Sequence, residues 1–139
     1  MAPVELALDR IVSALRAGPE LRLAMLFGSA AEGRLRPDSD VDIAIVPVDP
    51  QLTLAAELDL QASLARACGR EVDLVRLDMA PTLVRWQVAR NGHPLIEATA
   101  GEAARFQASA SSEYIDFRPA FEAAAEAFRR RLAGRTANG

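Results

Sequence analysis

The sequence contains no lysine, one cysteine and one histidine among its 139 residues. All 16 basic residues are therefore arginines, which excludes chemistry that depends on a lysine, such as a Schiff base or a P-loop lysine. The single cysteine, Cys68, cannot form an intrachain disulfide. Because His93 has no second histidine or cysteine near it in the sequence, the composition does not favour a zinc site.

Long apolar segments are also missing. No apolar run is long enough to span a bilayer, and the N-terminus lacks the basic start and apolar core of a signal peptide. The formal net charge is -3 and the pI is about 5.2, whereas nucleic-acid-binding domains are usually basic. We therefore expect a cytoplasmic protein that contacts neither a membrane nor nucleic acid directly.

The composition that remains is that of one globular domain, since half the residues are hydrophobic and a quarter are charged. Short apolar or alternating runs predict strands, because β-branched residues and a two-residue period are typical of sheets. These strands are Leu21–Phe27, Val41–Val46, Glu71–Leu77 and a short edge strand at Leu95–Glu97.

Apolar residues at helical spacing, ended by glycine or proline, predict the helices. Asp78 is positioned to cap the helix predicted from Pro81 to Arg90. The order of elements predicts an α/β (α+β) domain with a small mixed sheet packed by helices, built of a core at about 1–98 and a helical extension at about 99–133. The predicted helices are Pro3–Ala17, a short turn from Ala30 to Gly33, Leu52–Cys68, Pro81–Arg90, Gly101–Ser111 and Phe117–Leu132.

The segment GSAAEGRLRPDSDVDIAIV carries the most informative pattern. Gly28 and Ser29 end the first strand, and Asp40 and Asp42 follow after ten intervening residues. Side chains two apart on a strand share a face, so the two carboxylates lie together and repel one another. A divalent cation removes that repulsion, and magnesium prefers one or two carboxylates with substrate phosphates. Free N–H groups at the Gly-Ser turn bind anions, and glycine permits close approach to a phosphate.

Asp73 supplies a third carboxylate if the third strand lies beside the second. Three carboxylates can hold two cations, which clamp the attacking and leaving oxygens of an in-line displacement that releases pyrophosphate. Arg34, in the loop between the Gly-Ser turn and the aspartates, can contact phosphates through its guanidinium.

Simpler interpretations remain for each residue. Asp40 and Asp42 can form a solvated strand start, and Asp73 can lie on the polar face of an edge strand. Ser29 can be a helix N-cap, a role compatible with phosphate binding, and Arg34 can be a solvated loop residue.

The motif resembles the minimal nucleotidyltransferase domain of the DNA polymerase β superfamily, whose signature is a Gly-Ser pair, about ten residues, an Asp-x-Asp pair and a later acidic residue. Here the later acidic residue is Asp73, in EVDLVRL. The stretches RWQVARNGHPLIEA and EYIDFRPAFEAAAEAFRRRL are similar to the C-terminal half of the MntA-type antitoxins of HEPN/MNT toxin–antitoxin pairs. The resemblance covers nearly the whole chain.

The resemblance implies a polymerase β-like fold and transfer of AMP from ATP to a tyrosine of a partner HEPN toxin, which silences the toxin's ribonuclease activity. It assigns the triphosphate to Gly28 and Ser29 and magnesium to Asp40 and Asp42. Asp73 would bind a second magnesium and help deprotonate the attacking hydroxyl. Two alternatives stay open: a nucleotidyltransferase acting on a small-molecule alcohol such as an antibiotic, and a non-catalytic toxin-binding module.

Overall fold

The computed structural model describes residues 6–138 of the chain, with side chains described as far as residue 135. Pro3, the predicted start of the first helix, lies outside this range, and the described part of that helix begins at Leu8. The helices and strands are α1 Leu8–Ala17, β1 Leu21–Phe27, α2 Gly28–Ala31, β2 Val41–Pro47, α3 Leu54–Cys68, β3 Val72–Arg76, α4 Thr82–Asn91, β4 His93–Glu97 and α5 Glu102–Asn138.

The strands form one mixed sheet in the order β3-β2-β1-β4. β1 pairs antiparallel with both β2 and β4, whereas β2 and β3 run parallel. A parallel pair requires a crossover connection, and α3 supplies it between β2 and β3. The predicted mixed sheet packed by helices is thus confirmed, with β4 at one edge as expected.

Alternation along the strands sends side chains to two packed faces of the sheet. On β2, Ile43 and Ile45 point to a core shared with α1 and α3, and Ala44 points to a core shared with α4 and α5. Buried residues of the first core include Ile11, Leu15, Leu26, Val41, Leu60 and Leu64, and those of the second include Leu23, Met25, Val88, Phe106 and Ala110.

The prediction that Asp78 caps α4 was wrong, because the N-cap is Pro81 and no side chain caps that helix. Asp78 instead accepts hydrogen bonds from the buried guanidinium of Arg76, at 2.7 Å from Nη2 and 3.2 Å from Nε. Arg76 also donates to the carbonyls of Pro50 and Leu52. A buried charge without partners costs far more free energy than an uncapped helix. The carboxylate of Asp78 therefore pairs with Arg76 and not with the N-terminus of α4.

The prediction of two separate C-terminal helices was also wrong, since α5 is continuous from Glu102 to Asn138 and contains Pro119. Proline cannot donate to the carbonyl four residues earlier, which here belongs to Ile115. Both residues are exposed, so water can satisfy that carbonyl. No helix among residues 6–138 combines the length and apolar content required to cross a membrane. The assignment of the whole chain to one domain stays a prediction.

Candidate active site

Asp42, the second residue of β2, lies at the centre of the candidate site. Its partners in the sheet are Phe27 on β1 and Asp73 on β3. Residues paired across neighbouring strands project to the same face, so the carboxylates of Asp42 and Asp73 are neighbours. The third strand therefore lies beside the second, as the hypothesis for Asp73 requires. Asp40 is exposed and precedes β2 by one residue.

The electrostatics of Asp42 reflect this crowding. Its pKa is raised above the ordinary aspartate value, first by partial burial and then by the negative charges of Asp73 and Asp40. A hydrogen bond that the protonated carboxyl of Asp42 can donate to Asp73 acts in the same direction. The ionised site therefore carries negative charge that the surrounding protein does not compensate, and a bound cation would lower its energy.

The backbone of Gly28 lies so close to the carboxylate of Asp42 that a side chain at position 28 would displace that carboxylate. A Cβ atom at position 28 would lie 2.2 Å from Oδ2 of Asp42. The φ angle of Gly28 is 70°, in the left-handed region that side chains disfavour. Both constraints favour glycine, and the close approach sets the backbone of the Gly-Ser turn against the carboxylate of Asp42.

Ser29 lies inside α2 rather than before it. The helix begins at Gly28, two residues earlier than the predicted turn, and its N-cap is Phe27 with no side-chain cap. The alternative of Ser29 as an N-cap is therefore not supported. The N–H groups of a first helical turn have no partner within the helix, so those following Gly28 remain available for an anion.

Arg34 lies in the loop between α2 and β2. Its guanidinium is exposed and pairs with the carboxylate of Glu32. The N–H of Arg34 donates to the carbonyl oxygen of Ser29 at 2.8 Å. Among the described contacts, none joins the guanidinium of Arg34 to Gly28, Ser29 or the aspartates. Its predicted contact with phosphate stays a prediction.

Two residues that the sequence-based predictions did not assign to the site form hydrogen bonds with backbone carbonyls next to it. Nε2 of His93, at the start of β4, lies 3.0 Å from the carbonyl oxygen of Ala31 and ties the end of α2 to the sheet. Arg70, just before β3, donates to carbonyls of the loop that leads to Asp40. Their partners are 31 to 62 residues away in the chain, so no local sequence pattern could identify them.

The described side chains do not form a complete metal site as they stand. No group of three histidine, cysteine, aspartate or glutamate side chains is close enough to hold an ion in that part of the chain. The metal-binding roles of Asp40, Asp42 and Asp73 therefore stay predictions, supported by their donor type and by the clustering of their charges around Asp42.

The chain belongs to the family described as Polymerase beta, Nucleotidyltransferase, whose sequence profile matches residues 9–100. That range contains the Gly-Ser turn, the three aspartates and all the strands of the described sheet. The family assignment and the fold predicted from the sequence are confirmed.

Relatives within this family point to one branch of it. The chain is 39% identical over 88 residues to Protein adenylyltransferase MntA of Shewanella oneidensis, and the match spans 63% of this chain and 63% of that protein. A solved structure described as a toxin-antitoxin with AMP-PNP has a TM-score of 0.79 at 32% identity, covering 88% of this chain and 98% of that chain. A complex of the tri-AMPylated Shewanella oneidensis HEPN toxin with the MNT antitoxin has a TM-score of 0.73 at 30% identity, covering 88% and 96%.

Proposed function

We propose that this protein transfers AMP from ATP to a hydroxyl group of a partner HEPN-family toxin and thereby acts as its antitoxin. The observation that carries the proposal is the contact between the Gly28 backbone and the carboxylate of Asp42, with Asp73 adjacent in the sheet. This contact brings a phosphate-binding turn and acidic side chains to the same end of the sheet. A triphosphate and its cations need both.

The Gly-Ser turn binds the triphosphate in this proposal. Gly28 has no side chain to block the approach of phosphate oxygens, and the N–H groups after it lack partners within the helix and can donate to an anion. The hydroxyl of Ser29 can donate one further hydrogen bond. Arg34 is exposed and its partner Glu32 is two residues away, so its guanidinium can turn from that surface ion pair to a phosphate at little cost.

Asp40, Asp42 and Asp73 are the magnesium ligands in this proposal, with two ions as the expected number. Carboxylate oxygens are the ligands magnesium prefers, and the raised pKa of Asp42 reflects negative charge that a cation would offset. When bound, magnesium neutralises charge on the triphosphate and on the departing pyrophosphate. The carboxylates hold their positions because the paired strands β2 and β3 carry two of them.

The acceptor hydroxyl attacks the α-phosphate of ATP. Its oxygen forms a bond to the α-phosphorus of ATP while the bond from that phosphorus to the bridging oxygen breaks and pyrophosphate leaves. Asp73 accepts the proton of the attacking hydroxyl as a general base. The product is an AMP ester of the acceptor, and a tyrosine is the residue we expect to carry it.

The partner follows from the relatives. The protein that matches over 88 residues is named as a protein adenylyltransferase, and one solved neighbour is an antitoxin bound to an AMPylated HEPN toxin. We place the reaction in the cytoplasm, where ATP is available. A chain with a single cysteine forms no intrachain disulfide, so it does not require an oxidising compartment.

Transfer of radiolabel from α-labelled ATP to the HEPN-family protein encoded beside this chain tests the proposal. Label should appear on that protein with magnesium, and Asp42→Ala should abolish it. Asp59→Ala, which removes an exposed aspartate on α3, is the matched control and should label normally.

The other outcomes select between the alternatives. Absence of label on the partner together with label on an aminoglycoside would move the acceptor to a small-molecule alcohol. Neutralisation of the toxin by the Asp42→Ala protein would show that binding alone is sufficient.

A further inference from the structure

One guanidinium holds the loop that leads into the acidic end of β2. Nη1 of Arg70 donates to the carbonyl oxygen of Arg36 at 2.7 Å and to those of Pro37 and Ser39 at 3.2 Å each. Ser39 is the residue immediately before Asp40. The side chain thus gathers three carbonyls of one loop, and the last of them belongs to the peptide bond that joins Ser39 to Asp40.

Arg70 is itself fixed by the elements on either side of it. Gly69 ends α3 in a left-handed conformation, with a φ of 67°, and its N–H donates to the carbonyl of Ala65. On the other side, the carbonyl of Glu71 accepts from the N–H of Val41 at 2.9 Å, which joins the start of β2 to the approach to β3. The guanidinium of Arg70 therefore extends from a backbone segment that is hydrogen-bonded on both sides. It reaches the loop that precedes β2.

Leu35, earlier in this loop, packs against the hydrophobic core, and hydrogen bonds hold the turn that follows it. Within it, the N–H of Arg36 donates to the hydroxyl of Ser39 and the N–H of Ser39 donates back to the carbonyl of Arg36, each at 3.1 Å. These two bonds shape the turn but do not attach it to the sheet. Arg36, Pro37 and Asp38 are exposed. Among the described side chains, the hydrogen bonds that join this turn to a distant part of the chain come from Arg70.

We propose that Arg70 is a positioning residue of the nucleotidyl-transfer site, which holds the backbone before Asp40 so that its carboxylate stays beside that of Asp42. The inference rests on the proposed function, because it assigns Asp40 to the metal. Residues that orient a metal ligand without touching the metal commonly change metal affinity by about 10- to 100-fold when removed. All three hydrogen bonds come from one nitrogen, Nη1, so the ammonium of a lysine at position 70 could form part of the same contact.

Binding of Mn²⁺, measured by electron paramagnetic resonance with AMP-PNP present, tests the proposal without any acceptor. Arg70→Ala should weaken Mn²⁺ binding about tenfold, and Arg70→Lys should fall between it and the wild type. Arg66→Ala is the matched control, since Arg66 is an exposed arginine of α3 that donates only to Ser63 among the described contacts. It should bind Mn²⁺ as the wild type does.

Thermal unfolding of the same proteins separates positioning from a general loss of structure. Wild-type Mn²⁺ affinity in Arg70→Ala would overturn the proposal, and so would a lowered unfolding temperature without a change in Mn²⁺ affinity. Arg70-dependent Mn²⁺ binding without labelling of a toxin would support the role of Arg70 and contradict the proposed acceptor. A wild-type protein that bound no Mn²⁺ would overturn the inference and the metal assignment together.

Discussion

Two regions depart from the rule that apolar residues are buried and charged residues exposed. The end of the sheet at Asp42 and Asp73 partly buries charge, whereas the outer half of α5, from Phe117 onward, exposes apolar side chains. At the sheet end, Asp42 is partly buried beside a second carboxylate. Along α5, Phe117, Phe121 and Phe128 are 37%, 38% and 58% exposed. Phe117 and Phe121 lie together, with ring centroids 5.7 Å apart, so these exposed apolar residues are not isolated. A carboxylate partly buried beside other negative charges is also unfavourable, so each departure points to function.

The largest effect that would test this comparison is the loss of Asp42. If Asp42 binds the metal as proposed, we expect AMP transfer by Asp42→Ala to fall about a thousandfold, because several kcal/mol of charge stabilisation would depend on that ligand. The stability of the fold should be unchanged or slightly higher at neutral pH, since a carboxylate with a raised pKa is less stable ionised in the folded state than in the unfolded state. Activity assays and urea unfolding of the same protein measure both. A variant with near-normal activity would contradict the site.

Two phenylalanines of α5 provide the next test. Phe106 is buried against the sheet and Phe128 is more than half exposed. Phe106→Ala should lower the free energy of unfolding by about 3 kcal/mol, whereas Phe128→Ala should change it by less than about 0.5 kcal/mol. Denaturant unfolding of the isolated chain measures both. Equal losses would mean that the outer half of α5 packs on the chain as tightly as the inner half.

Gly28→Ala should have an intermediate effect on catalysis. The new methyl group would displace the carboxylate of Asp42, and a displacement of about 1 Å in a catalytic group can cost about a hundredfold in rate. Gly33→Ala is the matched control, because Gly33 also has a positive φ, of 71°, but has open space around it. Both variants should lose about 1–3 kcal/mol of stability from backbone strain, while only Gly28→Ala should lose activity. Comparable activity of the two would contradict the role of the close contact.

The smallest effect is expected from removing the outer half of α5. A chain that ends at Asp116 keeps the buried residues Ala103, Phe106 and Ala110, together with the stacked rings of Trp86 and Tyr114, whose centroids are 4.0 Å apart. Its free energy of unfolding should lie within about 1 kcal/mol of the full chain, because residues 117–135, the part of the removed segment whose side chains are described, are almost all exposed. Urea unfolding checks this. A chain that no longer folded would show that the outer half of α5 supports the core.

The strands were predictable because their evidence is local. β1 was predicted at its observed bounds, and β2 differed only by the inclusion of Pro47. Apolar runs ended by glycine and proline remain visible in the sequence whatever they pack against. The continuity of α5 was not predictable in this way, because proline and paired serines favour a break unless the surroundings allow the helix to continue.

The candidate site was predictable in its residue types and not in its supports. Gly28, Asp40 and Asp42 form a short motif that is visible in the sequence, and they lie within the residues that match the family, 9–100. His93 and Arg70 contact main-chain carbonyls more than thirty residues away. Every residue has such a carbonyl, so no residue type in the sequence marks the partner. Asp78 was assigned to the wrong partner for the same reason, since Arg76 became buried only when β3 and the segment at Pro50 came together.

The sequence by itself determined the order of strands and helices as far as β4, the buried face of β2, and the glycine and aspartates of the candidate site. Periodicity and short motifs are properties of neighbouring residues. Only the tertiary structure decided that β3 pairs with β2 in the register that sets Asp73 beside Asp42. It also decided that the backbone of Gly28 touches the carboxylate of Asp42 and that Arg70 holds the loop before Asp40. These are contacts between distant segments, and the physical reason they needed the fold is that pairing register and close approach depend on how whole elements pack.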